Sequence, residues 1–102
     1  MAGVRQLMKQ AQRMQKKMEE AQEKLAAEEL EVSCGGGAVT VRINGQGEFR
    51  ALNIDPELLE EDKEMVESTL LEAIQEAAKK AKALNEQEME KIQSGLKMPG
   101  LM

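Results

Sequence analysis

The sequence predicts an α+β fold: one long helix, a three-stranded antiparallel meander, and a second long helix, in the order α-β-β-β-α. Three observations carry this. Apolar residues recur at steps of three and four over residues 3–27 and again over 62–93. Over 29–54 they alternate with period two instead. Glycine clusters punctuate that middle stretch where turns are required.

In the first segment Val4, Leu7, Met8, Ala11, Met14, Met18, Ala21 and Leu25 form one stripe. At 100° per residue they fall within about 140° of the helix surface. Strong helix formers fill the remaining positions, and neither proline nor a glycine after Gly3 interrupts. Glu20 and Lys24, four apart in the favourable order, support the helix, while Glu19 and Glu23 repel mildly.

Leu30, Val32 and Cys34 then alternate with Glu31 and Ser33, and Val39, Val41 and Ile43 alternate with Thr40 and Arg42. Gly35-Gly36-Gly37 and Asn44-Gly45-Gln46-Gly47 are turn signals. A third strand over 48–54 shows a slip of apolar phase between Ala51 and Leu52, which a bulge or burial on both faces would explain. Links this short make the meander antiparallel. Asp55-Pro56-Glu57 couples a capping carboxylate to a proline in the first helical position, opening a short turn through Leu58 and Leu59. The second helix, about Asp62 to Gln93, has Val66, Leu70, Ala73, Ile74, Ala77, Ala81 and Leu84 as its apolar face and ends at Ser94-Gly95. Residues 1–95 are expected to form a single domain and 96–102 a flexible tail.

Composition narrows the function. A chain of 102 residues supports a modest core and no deep cleft. Histidine is absent, which removes the commonest general base and zinc ligand. One cysteine permits neither an intramolecular disulfide nor a multi-thiolate metal site. No apolar run approaches the ~18 residues that span a bilayer, and charges throughout residues 1–25 argue against a signal peptide. The expectation is a reduced, cytoplasmic, non-enzymatic protein with no cofactor, metal, membrane or small-molecule substrate. Nothing places two carboxylates in an apolar pocket for acid–base work.

The net charge of −5 speaks against nucleic acid as a whole, but its distribution does not. Residues 1–18 carry Arg5, Lys9, Arg13, Lys16 and Lys17 and no acid. Residues 55–76 carry nine acids against Lys63 alone. Lys79, Lys80, Lys82 and Lys91 make the far end basic again. Most charged stripes are solvated faces of mixed sign; eighteen residues without an acid point instead to phosphate contact. Phe49 is the only aromatic residue, so base stacking is disfavoured and duplex backbone contact remains. The acidic run is read as carboxylates at a helix N-terminus; its spacing lacks the calcium-loop pattern. Both glycine clusters precede strands, so hairpin turns account for them better than a phosphate loop. Cys34 has no assigned role, and the methionines are read mainly as helix-stripe core.

Helices of these lengths overhang a short sheet. Each is the nearest cover for the other's stripe, with Ala73, Ala77 and Ala81 allowing close approach to the methionines of the first. Run antiparallel, the start of the first helix meets the end of the second. Arg13 and Lys80 then fall on one side of the particle, and scattered cations become one patch. Exposed sheet edges suggest self-association, giving a homodimer with a central sheet region and projecting helix pairs. Two other classes fit loosely: a prefoldin-like holdase gripping unfolded chains with exposed methionines, and an adaptor whose acidic strip engages a basic protein.

The ordered set Leu7-Met8-Lys9-Gln10-Ala11-Gln12 with Met14 and Met18, Ile54-Asp55-Pro56-Glu57-Leu58-Leu59, Asp62-Lys63-Glu64-Met65, Ala77 to Lys82 with Met89, and Ser94-Gly95…Pro99-Gly100 resembles the YbaB/EbfC nucleoid-associated DNA-binding proteins over essentially its full length. The resemblance implies an α-β-β-β-α protomer, a tweezer-like homodimer, and cytoplasmic, nucleoid-associated binding of double-stranded DNA through the two long helices. It carries over no individual DNA contact. The DNA-binding candidates Arg5, Lys9, Arg13, Lys16, Lys17, Lys79, Lys80, Lys82 and Lys91 rest on the charge pattern alone.

Overall fold

A computed structural model describes residues 2–95, with Ala2 and Gly95 described by backbone alone. The expected tail at 96–102 lies outside the described residues. Helix α1 spans Ala2–Ala27; strands β1 (Glu29–Cys34), β2 (Val39–Asn44) and β3 (Phe49–Ile54) follow; a 3-10 turn at Leu58–Glu60 leads into helix α2, Lys63–Gly95. The expected order of elements is the observed one.

The sheet is an antiparallel meander in the order β1-β2-β3. Val32 pairs with Val41, and Val41 with Leu52, so the alternating apolar residues of all three strands share one face. The phase slip in β3 is a bulge. Arg42 pairs with Ala51 but Ile43 with Phe49, leaving Arg50 as the extra residue. The bulge returns Phe49 to the face that carries Leu52 and Ile54.

Helix α2 lies over β1 and β2. Ala73, Ala77 and Ala81 are buried against Val32, Val39, Val41, Ile43 and Leu58, and this cluster is the core. Here the structure corrects the sequence reading, which gave those alanines to α1. Their small side chains bring the α2 backbone close to the sheet instead. Ile74, assigned to the same face, is 40% exposed and turns toward β3. Asp62 caps α2, its Oδ1 accepting from the Met65 amide at 2.9 Å. Asp55 orders the preceding turn, its Oδ1 accepting from the Glu57 amide at 2.9 Å.

α1 is joined to the sheet at its C-terminal end. The Gly45 amide donates to the carbonyls of Leu25 (2.8 Å) and Glu28 (3.1 Å). A Cβ at Gly45 would stand 2.8 Å from both the Leu25 carbonyl oxygen and its Cδ2, so only glycine lets the turn reach the helix. Asn44, wholly buried, uses its amide in full. Nδ2 donates to the Ala26 carbonyl (3.1 Å) and to Glu48 Oε1 (2.9 Å), while Oδ1 accepts from the amides of Gln46 (3.0 Å) and Glu48 (2.9 Å). Leu25 is wholly buried and Ala21 nearly so, but Val4, Leu7, Met8 and Met18 are exposed. The methionines are therefore not core: among those described, Met8, Met18 and Met65 are exposed and Met14 and Met89 half-buried.

Gly45→Ala should destabilise the fold by about 1–3 kcal/mol, because backbone cannot yield to the new methyl. Asn44→Ala should cost about as much, through buried amides left without an acceptor. Urea unfolding measures both. A Gly45→Ala midpoint equal to that of the wild type would show that the helix and turn are not in rigid contact.

Candidate nucleic-acid interface

Helices α1 and α2 run antiparallel where they meet. Lys24 Nζ of α1 lies 3.0 Å from Glu88 Oε1 of α2, and Lys17, Ala21 and Lys24 share a groove with Glu88, Lys91 and Ile92. Because the earlier part of α2 covers the sheet, only its last few turns remain for α1. The N-terminal half of α1 therefore extends past them. The 33 residues of α2 account for about 50 Å, whereas the molecule is 71 Å long. The overhanging part of α1 is here termed the arm.

On the arm Arg5, Lys9, Arg13 and Lys16 are exposed at spacings of four, four and three. At 100° per residue they line up within about 80° on the side opposite the Leu25 stripe. Among the described residues none of the four takes part in an ion pair, and neither do Lys17, Lys79, Lys80 and Lys82. Lys91 is paired, its Nζ 3.2 Å from Glu88 Oε1.

The expected convergence of Arg13 with Lys80 does not occur within the chain. Arg13 precedes Lys24 by eleven residues on α1, and Lys80 precedes Glu88 by eight on the antiparallel α2. The two therefore lie on opposite sides of that contact, about 28 Å apart along the helices. The antiparallel register instead brings together Lys17, Lys24 and Lys91. Lys79, Lys80 and Lys82 are exposed on the part of α2 that lies toward the sheet, with Lys82 beside the Gly45–Gly47 turn.

Glu88 is 7% exposed and holds two cations at once. The hydrogen bond from Lys24, then that from Lys91, draws its carboxyl below the usual carboxylate range, outweighing the opposing effect of desolvation. Lys24 is raised above its ordinary value, chiefly by the hydrogen bond to Glu88 and its charge.

Residues 1–96 match the family model described as the YbaB/EbfC DNA-binding family. The chain belongs to the YbaB/EbfC family. A nucleoid-associated protein of Chloroflexus aurantiacus is 46% identical over 94 residues, covering 91% of this chain and 94% of that one. A nucleoid-associated protein of Clostridium novyi is 42% identical over 100 residues, covering 97% and 88%. The crystal structure of an uncharacterized Helicobacter pylori protein shares the fold with a TM-score of 0.76 and 33% identity, over 90% of this chain and 95% of that one. Among the described residues no helix is long and apolar enough to cross a membrane, and no group of side chains suits a metal ion.

Within this YbaB/EbfC chain, Lys24 and Glu88 are the site residues that the sequence reading missed. Glu88 follows Ala77, Ala81 and Leu84 on the inward phase of α2, and a carboxylate interrupting an apolar stripe is the signal that could have marked it.

The bridge has a pH signature. The folded Glu88 carboxyl lies below its unfolded value, so its contribution is complete above the ordinary carboxylate pKa of 4.5 and is lost as pH falls through the folded value. The folded Lys24 lies above 10.5, so its contribution is present below that pH and is lost as pH rises through the folded value. Wild type should be more stable than Glu88→Gln between these limits, and the difference should close on acidification. Denaturant midpoints across pH measure it; a difference unchanged into strong acid would refute the pairing.

Proposed function

We propose that the chain acts as a homodimer that binds double-stranded DNA mainly through backbone phosphates, with a role in nucleoid organisation or gene regulation in the cytoplasm. Family membership supports DNA as the partner, and the curated relatives carry the nucleoid-associated name. The observation that carries the phosphate mechanism is the ridge of Arg5, Lys9, Arg13 and Lys16, exposed and free of ion pairs among the described residues. Lys17, Lys79, Lys80, Lys82 and Lys91 are the flanking contacts of this reading. With one aromatic residue in the chain, stacking on unpaired bases has little to work with.

Support for the dimer comes from β3. Every residue of that edge strand but Ile54 is exposed. Phe49 and Leu52, each about half exposed, line an apolar groove with Ile74, and Leu71 is exposed on the same helix. A strand with one unpaired edge beside an apolar groove is the usual setting for a second copy.

Holdase activity keeps one observation in its favour: Met8 on the arm and Met18 near its base are exposed, as that reading requires. It calls for a higher oligomer and suppression of client aggregation, which light scattering reads directly.

If each protomer sets about three cations on phosphates, a dimer neutralises about six, and log K should fall against log salt with a slope near −5. Gel-shift titration across salt measures the slope. Reversing Arg5, Lys9 and Arg13 to Glu should abolish binding, whereas a salt-independent affinity or an intact shift in that variant overturns the mechanism. Leu52→Asp should convert the dimer to monomer in sedimentation; an unchanged sedimentation coefficient removes β3 from the interface.

A further inference from the structure

We propose that the groove between α1 and α2 at the base of the arm is a second phosphate seat for duplex DNA, and that Glu88 is the built-in anion that masks it. This rests on the DNA-binding reading above and adds a site and a regulator to it.

A carboxylate and a phosphodiester make the same demand on a protein: convergent N–H donors carrying positive charge. The groove meets it with donors from two helices. Lys24 Nζ lies 3.0 Å and Lys91 Nζ 3.2 Å from one and the same oxygen, Glu88 Oε1. Lys17 lines the same groove. The seat is thus assembled around an anion, and the anion belongs to the protein.

Its position continues the arm's contacts. At 100° per residue Arg13, Lys17 and Lys24 lie within about 40° of one another on one flank of α1. They form a row about 16 Å long that leads from the exposed ridge into the groove. A phosphate backbone following the arm toward the body arrives at Lys24 and Lys91.

Lys24 and Lys91 keep side-chain exposures of 53% and 69%, so both ammonium groups can turn to an incoming phosphate, whereas the Glu88 side chain keeps only 10%. Two other carboxylates border the site. Glu20 lines the groove, and Glu28 lies 4.0 Å from Lys24 as an i,i+4 pair, the kind of exposed contact that contributes little.

The test uses the full-length protein and fluorescence anisotropy with a labelled duplex. Glu88→Gln keeps the shape and removes the anion. It should bind several-fold more tightly than wild type, with a salt slope steeper by about 1 per protomer, since one more phosphate is neutralised at each seat. Glu88→Ala should share the gain. Glu90→Gln removes the same formal charge from an exposed position two residues away and should give less than half of it. Placing Lys24→Gln and Lys91→Gln in the Glu88→Gln background should abolish the gain. The seat is refuted if Glu88→Gln binds no more tightly than Glu90→Gln, or if the gain survives loss of both lysines. It is equally refuted if Glu88→Gln weakens binding while remaining folded by circular dichroism, which would make Glu88 a brace for the arm. If neither wild type nor variants bind the duplex at low salt, the DNA-binding reading itself falls and the seat with it, a result separable from equal binding by all.

Discussion

The contact of Leu25 with Gly45 is the constraint on which the rest of the molecule depends. A helix of 26 residues touches its own sheet at one end only, so whatever fixes that end fixes the direction of everything beyond it. The Gly45 amide on the Leu25 carbonyl, the Asn44 amide on that of Ala26, and the buried Leu25 side chain achieve this within a few residues. Each is short-ranged and intolerant of added volume, which makes the joint stiff. A small angular error there would be magnified along the arm, because a helix transmits direction over its whole length. Lys24, the residue before Leu25, forms the bridge to Glu88 that ties the same helix to α2.

The elements were legible in the sequence because each is written in a local signal. The periodicities placed both helices and all three strands within a residue or two. The phase slip in β3 marked the bulge, which the structure puts at Arg50. Asp55 and Asp62 declared the turn and the start of α2. Periodicity tells which face of an element is buried and says nothing about what buries it. Ala73, Ala77 and Ala81 were correctly read as an inward face and wrongly given to α1, because an alanine stripe fits a sheet as well as a helix.

The same limit explains the site. The arm's cations were visible as an acid-free run, and their helical spacing put them on a common face. Which cations of α2 accompany them depends on register, set by how much of α2 the sheet occupies, and no local pattern encodes that length. Lys91 was therefore placed with α1 correctly and Lys80 wrongly. Glu88 went unmarked because a carboxylate on an inward phase has meaning only once Lys24 is known to lie opposite.

Charge segregation along 71 Å reconciles an anionic chain with an anionic partner. The nine acids of residues 55–76 belong to the turn before α2 and its first turns, the end farthest from the arm. The distance between the two ends exceeds the Debye length of about 8 Å at physiological ionic strength several times over. A phosphate at the arm is thus screened from those nine acids, and the nearest carboxylates it meets are Glu19, Glu20 and Glu23, on α1 beyond the basic ridge. Those acids act on approach. A duplex nearing the body meets repulsion, one nearing the arm meets attraction, and the molecule is oriented before contact. Glu88 stands where the arm meets the body, with two lysines to neutralise it. On the proposed reading, its place at that boundary is what lets one carboxylate among nineteen acids regulate how far along the protein a phosphate backbone is drawn.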